Sequence, residues 1–145
     1  MDRQEFCSLY ETYKNGIFRY VLSIMKDRGA AEDVLQETFL KVLTGGLRCT
    51  PGKEQTWLYR VARNLCYDHL RKAKREETLV DPVVTKEDYG YLELIASLSP
   101  KDQEIVSLKI IGGLTHREIG NVLGISPKAA QKRYERAIAA LRKED

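Results

Sequence analysis

Apolar residues recur at helical spacing along almost the whole chain. Phe6, Leu9, Tyr10 and Tyr13 mark a first helix, and the Asn15-Gly16 pair predicts a break after it. Ile17 to Met25 resumes the pattern. The next helix runs from about Ala30 to Leu43 and stops at Gly45-Gly46. Beyond a Pro51-Gly52 turn, a long helix extends from about Gln55 to Arg75. Residues 76–90 lose the periodicity and include a proline, which predicts a linker between two small helical domains, 1–75 and 91–145. In the second domain Tyr91–Leu98 forms a short helix. Ser99-Pro100 opens another with a capping residue and a proline at its first position, and Gly112-Gly113 closes it. Thr115-His116-Arg117-Glu118 has the spacing of a capping box, Gly124 stops that helix, and Ser126-Pro127 starts a last one reaching about Lys143. The chain reads as all-α.

Three helix faces carry candidate chemistry. The last two helices, joined by Gly124-Ile125-Ser126, have the form of a helix-turn-helix. On the last helix Ala130, Tyr134, Ala137, Ile138 and Leu141 share one side. Lys128, Lys132 and Arg136 occupy the other, with Arg133 at the flank. Such a cationic ridge suits the major groove of a duplex, and a plain helical hairpin with solvated lysines is the alternative. On the long helix Leu58, Val61, Ala62, Leu65, Cys66 and Ala73 oppose Arg60, Arg63, Asn64, Tyr67, Arg71, Lys74 and Arg75. A ring and an amide among cations suit a single strand: Tyr67 to stack on a base, Asn64 to bond a base edge, the arginines to meet phosphates. A basic solvated face is the commoner meaning of that pattern taken alone. On the Ala30–Leu43 helix, Ala31, Val34, Leu35 and Val42 face a core. Asp33, Gln36, Glu37 and Leu40 form an opposite stripe, either a protein-binding patch or a solvated face with one stray leucine.

Composition narrows the classes. Of 145 residues, 43% are apolar and 31% charged, which is globular rather than disordered or fibrous. No apolar run approaches the ~18 residues needed to span a bilayer. The start leads into an amphipathic segment rather than a signal peptide. Three scattered cysteines (Cys7, Cys49, Cys66) fit a reducing cytosol. These features exclude secreted, membrane and disulfide-stapled classes. The net charge of +3 conceals alternation: −1 over residues 1–44, +4 over 45–80, −3 over 81–112 and +3 over 113–145. Two basic surfaces separated by acidic ones can hold nucleic acid at two places. Cys66-Tyr67-Asp68-His69 resembles half a zinc motif without a second half, and His69 falls on the apolar side, as a packed histidine does. His116 and the cysteines lack partners for nucleophilic chemistry, and there is no glycine-rich phosphate loop. No metal, cofactor or catalytic residue is expected.

Jointly these segments resemble the sigma-70 family of RNA polymerase sigma factors, in its small extracytoplasmic-function (ECF) group. Leu9-Tyr10-Glu11-Thr12-Tyr13, Ala31-Glu32-Asp33-Val34-Leu35-Gln36-Glu37-Thr38-Phe39 and Trp57-Leu58-Tyr59-Arg60-Val61-Ala62-Arg63-Asn64 resemble the family's region 2. Leu98-Ser99-Pro100-Lys101, Gly113-Leu114-Thr115-His116-Arg117-Glu118-Ile119 and Leu123-Gly124-Ile125-Ser126-Pro127 resemble its region 4. The resemblance implies a non-catalytic initiation factor. Region 2 would dock on the clamp helices of the largest polymerase subunit and recognise and melt the −10 element. Region 4 would read the −35 element and pack on the polymerase flap. By position, Asp33, Gln36 and Glu37 fall on the core-binding face, to which the stripe adds Leu40. Arg60, Arg63, Asn64, Asp68 and Arg71 fall at the −10 strand, beside Tyr67. Arg117, Lys128, Lys132, Arg133 and Arg136 fall at the −35 duplex. The turn from Arg48 to Thr56 corresponds to the loop that captures a flipped −10 base. An anti-sigma protein is an implied partner, and the bacterial cytoplasm the implied location.

The chain departs from the family pattern in three places. The linker is compact. Ala129-Ala130-Gln131 stands where relatives often carry Thr-Val-Lys, and Asn15-Gly16 replaces a proline-containing break. Two rival functions share the helix-turn-helix: a transcription activator that binds duplex DNA without replacing sigma, and a sigma-like adaptor that binds only proteins. A metal-dependent enzyme is a third.

Overall fold

The computed structural model describes residues 2–76 and 86–143, which hold seven α-helices and no strand. The first, α1 (Arg3–Met25), is capped by Asp2, whose carboxylate accepts from the Glu5 N–H at 2.7 Å while Glu5 Oε2 accepts from the Asp2 N–H at 3.3 Å. It runs unbroken through Asn15-Gly16, against the sequence expectation. The glycine serves packing instead of a turn: a β-carbon at residue 16 would run into the Tyr59 hydroxyl of a neighbouring helix. Gly inside a helix costs roughly 0.5–1 kcal/mol relative to Ala, and close approach of Tyr59 offsets it. The helix ends at Lys26 in the left-handed conformation (φ 58°).

Helix α2 (Arg28–Gly45) starts at Asp27, which accepts from the Ala30 N–H at 2.9 Å. It buries Ala31, Val34, Thr38, Phe39 and Val42. Phe39 meets the rings of Phe6 and Tyr10 edge-on, with centroids 6.2 and 4.9 Å away. Helix α3 (Glu54–Glu76) completes a three-helix group by burying Leu58, Tyr59, Ala62, Leu65 and Cys66. The apolar side read from the sequence does not reach Ala73, which is exposed. From Leu70 to Lys74 every residue is exposed.

Residues 77–85, the centre of the expected linker, lie outside the described residues. Helix α4 (Lys86–Ile95) begins before Tyr91 and ends before Leu98, so 86–90 is helix where a linker was expected. The sequence at its start, with Glu87 and Asp88, leaves no apolar repeat to read. Helix α5 (Pro100–Val106), capped by Ser99, continues into a wide π-helical turn over Ser107–Ile111. There the Ser107 hydroxyl donates to the Gln103 carbonyl at 2.8 Å, bonding back into the helix ladder.

Helices α6 (His116–Leu123) and α7 (Pro127–Arg142) follow. Gly120 sits where α6 meets the next turn: an added β-carbon would lie 2.5 Å from the Ile125 carbonyl oxygen. Ile95, Ile105, Leu108, Leu114, Ile119, Ala130 and Ala137 are fully buried in this second group. The two groups touch along a seam, with α1 against α5 and the π turn, and α3 against α6.

Gly16→Val should lower unfolding stability by roughly 1–3 kcal/mol through overpacking, and Tyr59→Phe in the same chain should restore part of the loss. Urea denaturation of the three chains measures both; an unchanged midpoint in the single variant contradicts the packing role.

Candidate nucleic-acid interfaces

The helix-turn-helix is built from local caps. Thr115 Oγ1 accepts from the Glu118 N–H at 3.2 Å, and Glu118 Oε1 accepts from the Thr115 N–H at 3.0 Å, fixing the start of α6. Gly124 turns the chain in the left-handed region, and Ser126 Oγ accepts from the Ala129 N–H at 3.1 Å to start α7. Ala130 and Ala137 are buried, with Tyr134, Ile138 and Leu141 packed beside them. Arg117, Lys128, Lys132 and Arg136 are exposed, and Arg133 is half-buried. Arg117 stands in the first turn of α6, and the other four cations are on α7. Ala129 is exposed between them and leaves the backbone accessible. Inside the motif, His116 Nε2 is buried without a protein partner, and its ring lies 6.1 Å from that of Tyr134.

The cationic side of α3 divides into two stripes. Arg60, Asn64, Asp68 and Arg71 are exposed, and Arg71 is bonded to Asp68. Asn64 and Asp68 line a crevice of about 450 Å³ with Lys41, Arg48, Trp57 and Val61. A polar rim over a tryptophan can take a planar aromatic group. Arg48, Lys53 and Arg60 line a neighbouring crevice with Trp57 and Asn121.

Arg63 and Tyr67, on the second stripe, are half-buried. Glu104 of α5, only 3% exposed, accepts from Arg63 Nε at 2.8 Å, from the Tyr67 hydroxyl at 2.6 Å and from the Tyr20 hydroxyl at 2.8 Å. The Arg63 guanidinium also lies over the Tyr67 ring, 4.7 Å from its centroid. Burial, and then the bond to Glu104, push the Tyr67 hydroxyl up to about 12. Burial raises Tyr20 well above the ordinary tyrosine range, with Glu104 adding to it. For Arg63, burial alone would weaken proton binding, but the bond and attraction of Glu104 outweigh it.

On α2, Asp33, Gln36 and Leu40 are exposed, Leu40 by 55%, and Leu43 extends the apolar part at 62%. Glu37 differs: its Oε1 lies 2.9 Å from His69 Nε2 of α3. This corrects the reading of His69 as an apolar-side residue, since its ring reaches past the core to a carboxylate on the adjacent helix. Among the described residues, no three His, Cys, Asp or Glu side chains gather as a metal would require, and no helix is long and apolar enough to cross a membrane. Cys66 is buried, which raises its thiol to about 12; Cys7 is exposed and Cys49 half-buried.

Comparisons with known proteins follow this division. Residues 9–76 match the model of sigma-70 region 2, and residues 90–141 match that of sigma-70 region 4. The RNA polymerase sigma factor CarQ of Myxococcus xanthus is 30% identical over 151 residues, covering 94% of this chain and 87% of CarQ. The chain belongs to the sigma-70 family, in its ECF group. The ECF sigma factor SigM of Bacillus subtilis is 40% identical over 76 residues, 52% of this chain and 47% of SigM, so that match spans about half the relative's length. The sigma factor RpoE of Bartonella quintana, solved in complex with the anti-sigma factor NepR, shares the fold. Its TM-score is 0.81 at 20% identity, over 97% of this chain and 96% of that one.

Glu104 escaped the sequence reading, as did the bonds from Gln55 Nε2 to the Gly112 carbonyl at 2.7 Å and from Thr56 Oγ1 to Glu118 Oε2 at 3.1 Å. One signal was available. At 100° per residue Glu104 shares a side of its helix with Leu108 and Ile111, an odd place for a solvated carboxylate.

The raised Tyr67 hydroxyl sets a pH window. Its folded value of about 12 exceeds the ordinary 10, so the stabilisation is fully present below pH 10 and lost as pH rises toward 12. Thermal melts of this sigma factor between pH 9 and 12, roughly that window, should fall more steeply than those of Tyr67→Phe; parallel curves would contradict the bond.

Proposed function

We propose that this sigma factor binds core RNA polymerase and directs it to promoters through separate contacts with the −10 and −35 elements, without catalysing a reaction itself. The observation that carries this reading is one chain holding, in order, a region 2 match over a cationic α3 beside the Trp57 crevice and a region 4 match over a helix-turn-helix with exposed cations. A duplex-binding activator or a protein-only adaptor leaves the α3 face without a task.

The α7 ridge of Lys128, Lys132, Arg133 and Arg136, with Arg117 at the start of α6, enters the major groove at −35. Arg60, Asn64, Asp68 and Arg71 meet the non-template strand at −10, joined by Arg63 and Tyr67. The crevice bounded by Arg48, Trp57 and Asn64 lies within reach of the loop assigned to a flipped base, and its tryptophan supplies a stacking surface. Asp33, Gln36 and Leu40, with Glu37 beside them, dock on the clamp helices, where exposed leucine and acidic side chains suit a partly basic helical partner. The group at 91–145 packs on the flap, and 76–90 joins it to 1–75. A chain of net charge +3 neutralises few phosphates by itself, so polymerase supplies most of the DNA-binding surface. A factor that works on core polymerase and promoter DNA acts in the bacterial cytoplasm. The complex of the fold-relative RpoE with NepR supports an anti-sigma protein as the restraining partner.

In vitro transcription with bacterial core enzyme, from the promoter of this factor's own gene, tests the function; absence of any association with core enzyme overturns it. Asp33→Arg with Leu40→Ala should weaken core pull-down while leaving the circular dichroism spectrum unchanged, since both side chains are exposed. Arg133→Ala or Arg136→Ala should each cost roughly 1–3 kcal/mol if the side chain reads a base, and the loss should then vary with the −35 sequence. Equal loss on every promoter, measured by footprinting, reassigns the residue to phosphate.

A further inference from the structure

One side chain on the polymerase-facing stripe of α2 is held from outside its own helix. We propose that His69 of α3 is a positioning residue for docking on core polymerase: its ring holds the Glu37 carboxylate ready beside Asp33, Gln36 and Leu40. This inference rests on the reading of that stripe as the core-binding face, and it gives part of that task to a residue of the −10 helix.

His69 Nε2 and Glu37 Oε1 lie 2.9 Å apart. A carboxylate oxygen accepts, so the ring N–H donates and Nε2 carries the proton. The pair bridges the rim of the contact between α2 and α3. Val34 and Thr38 flank Glu37 and are buried, as are Leu65 and Cys66 one turn before His69. The side chains of His69 and Glu37 themselves stay 34% and 43% exposed. Partial withdrawal from water strengthens their bond. Glu37 Oε2 takes no bond from any described residue, which leaves an acceptor for a cation on a partner.

A partner nearer in sequence is passed over. Lys41 stands four residues beyond Glu37 on α2, the favourable order for an ion pair along one helix face. Among the described residues that pair does not form, and the carboxylate crosses to α3 instead. A glutamate tied to a lysine moves with the rotamers of a flexible stem. The His69 ring has few rotatable bonds and stands on a packed helix, so the carboxylate it holds is already ordered. Ordering a long side chain on association weakens binding, and at Glu37 that ordering precedes the partner.

Affinity and output are read separately. Fluorescein-labelled full-length factor is titrated with bacterial core polymerase by anisotropy, and run-off transcription is measured at saturating core. His69→Leu removes the donor. It should weaken core binding about threefold to tenfold, as expected where one glutamate must be ordered on docking, and leave the transcription plateau unchanged. His69→Gln, whose amide N–H reaches where Nε2 does, should restore most of the affinity, and the shorter His69→Asn should not. In a Glu37→Ala chain, His69→Leu should cause no further loss, because His69 acts through Glu37. Unchanged affinity in a His69→Leu chain that is folded by circular dichroism overturns the proposal. So does equal loss in His69→Gln and His69→Leu, a further loss on top of Glu37→Ala, or a fallen plateau at full core occupancy. Should His69→Leu fail to fold, the comparison of His69→Gln with His69→Asn decides alone. Wild type that never associates with core enzyme removes the sigma reading and this inference together. Wild type that binds core, with His69→Leu indistinguishable from it, removes the positioning role and leaves the sigma function standing.

Discussion

A carboxylate withdrawn from water has to be surrounded by donors, and Glu104 finds all three of its own on the other helical group. Breaking such a buried, paired charge by deleting one partner typically costs about 3–5 kcal/mol, whereas leaving it intact adds little net stability over an apolar substitute. Its effect is therefore on arrangement more than on stability. The carboxylate fixes which face of α5 meets which face of α3, and the remaining seam contacts fall into line with it. Glu118 repeats the logic on a smaller scale. One of its oxygens caps the start of α6 and the other accepts from Thr56, so the recognition motif and the first group are registered through one side chain.

Two cationic surfaces result, and they differ in exposure. On a motif held by its own caps, Lys128, Lys132 and Arg136 of α7 are exposed among the described residues, while Arg133 is half-buried. On α3 only the outer stripe is exposed. The acidic and leucine-bearing side of α2 lies on a different helix from either, leaving room for a protein partner.

Much of this was legible in the sequence, where the deciding interactions are local. Caps at Ser99, Thr115 and Ser126, the stop at Gly124 and the side preferences of α7 all depend on residues within one or two turns, and the structure places them as the pattern implies. Asn15-Gly16 was misread because its meaning is set by Tyr59, distant in sequence and adjacent in space. Arg63 and Tyr67 looked like solvated cation and ring for the same reason: their partner lies on α5, and helical periodicity does not say which buried faces meet. His69 was drawn to Glu37 by a helix-to-helix contact that a single wheel cannot contain. The start of α4 was missed because a polar first turn carries no apolar repeat.

The close approach at Gly120 has a bearing on how such a reader can change over time. At Gly120 α6 meets main chain, a β-carbon's width from the Ile125 carbonyl and close to the Ser126 and Pro127 backbone, and no side chain of the α7 ridge takes part. Lys128, Ala129, Gln131 and Lys132 can therefore be exchanged without tilting the rod that presents them. The docking pose is inherited from the scaffold, and the target vocabulary is left free to drift.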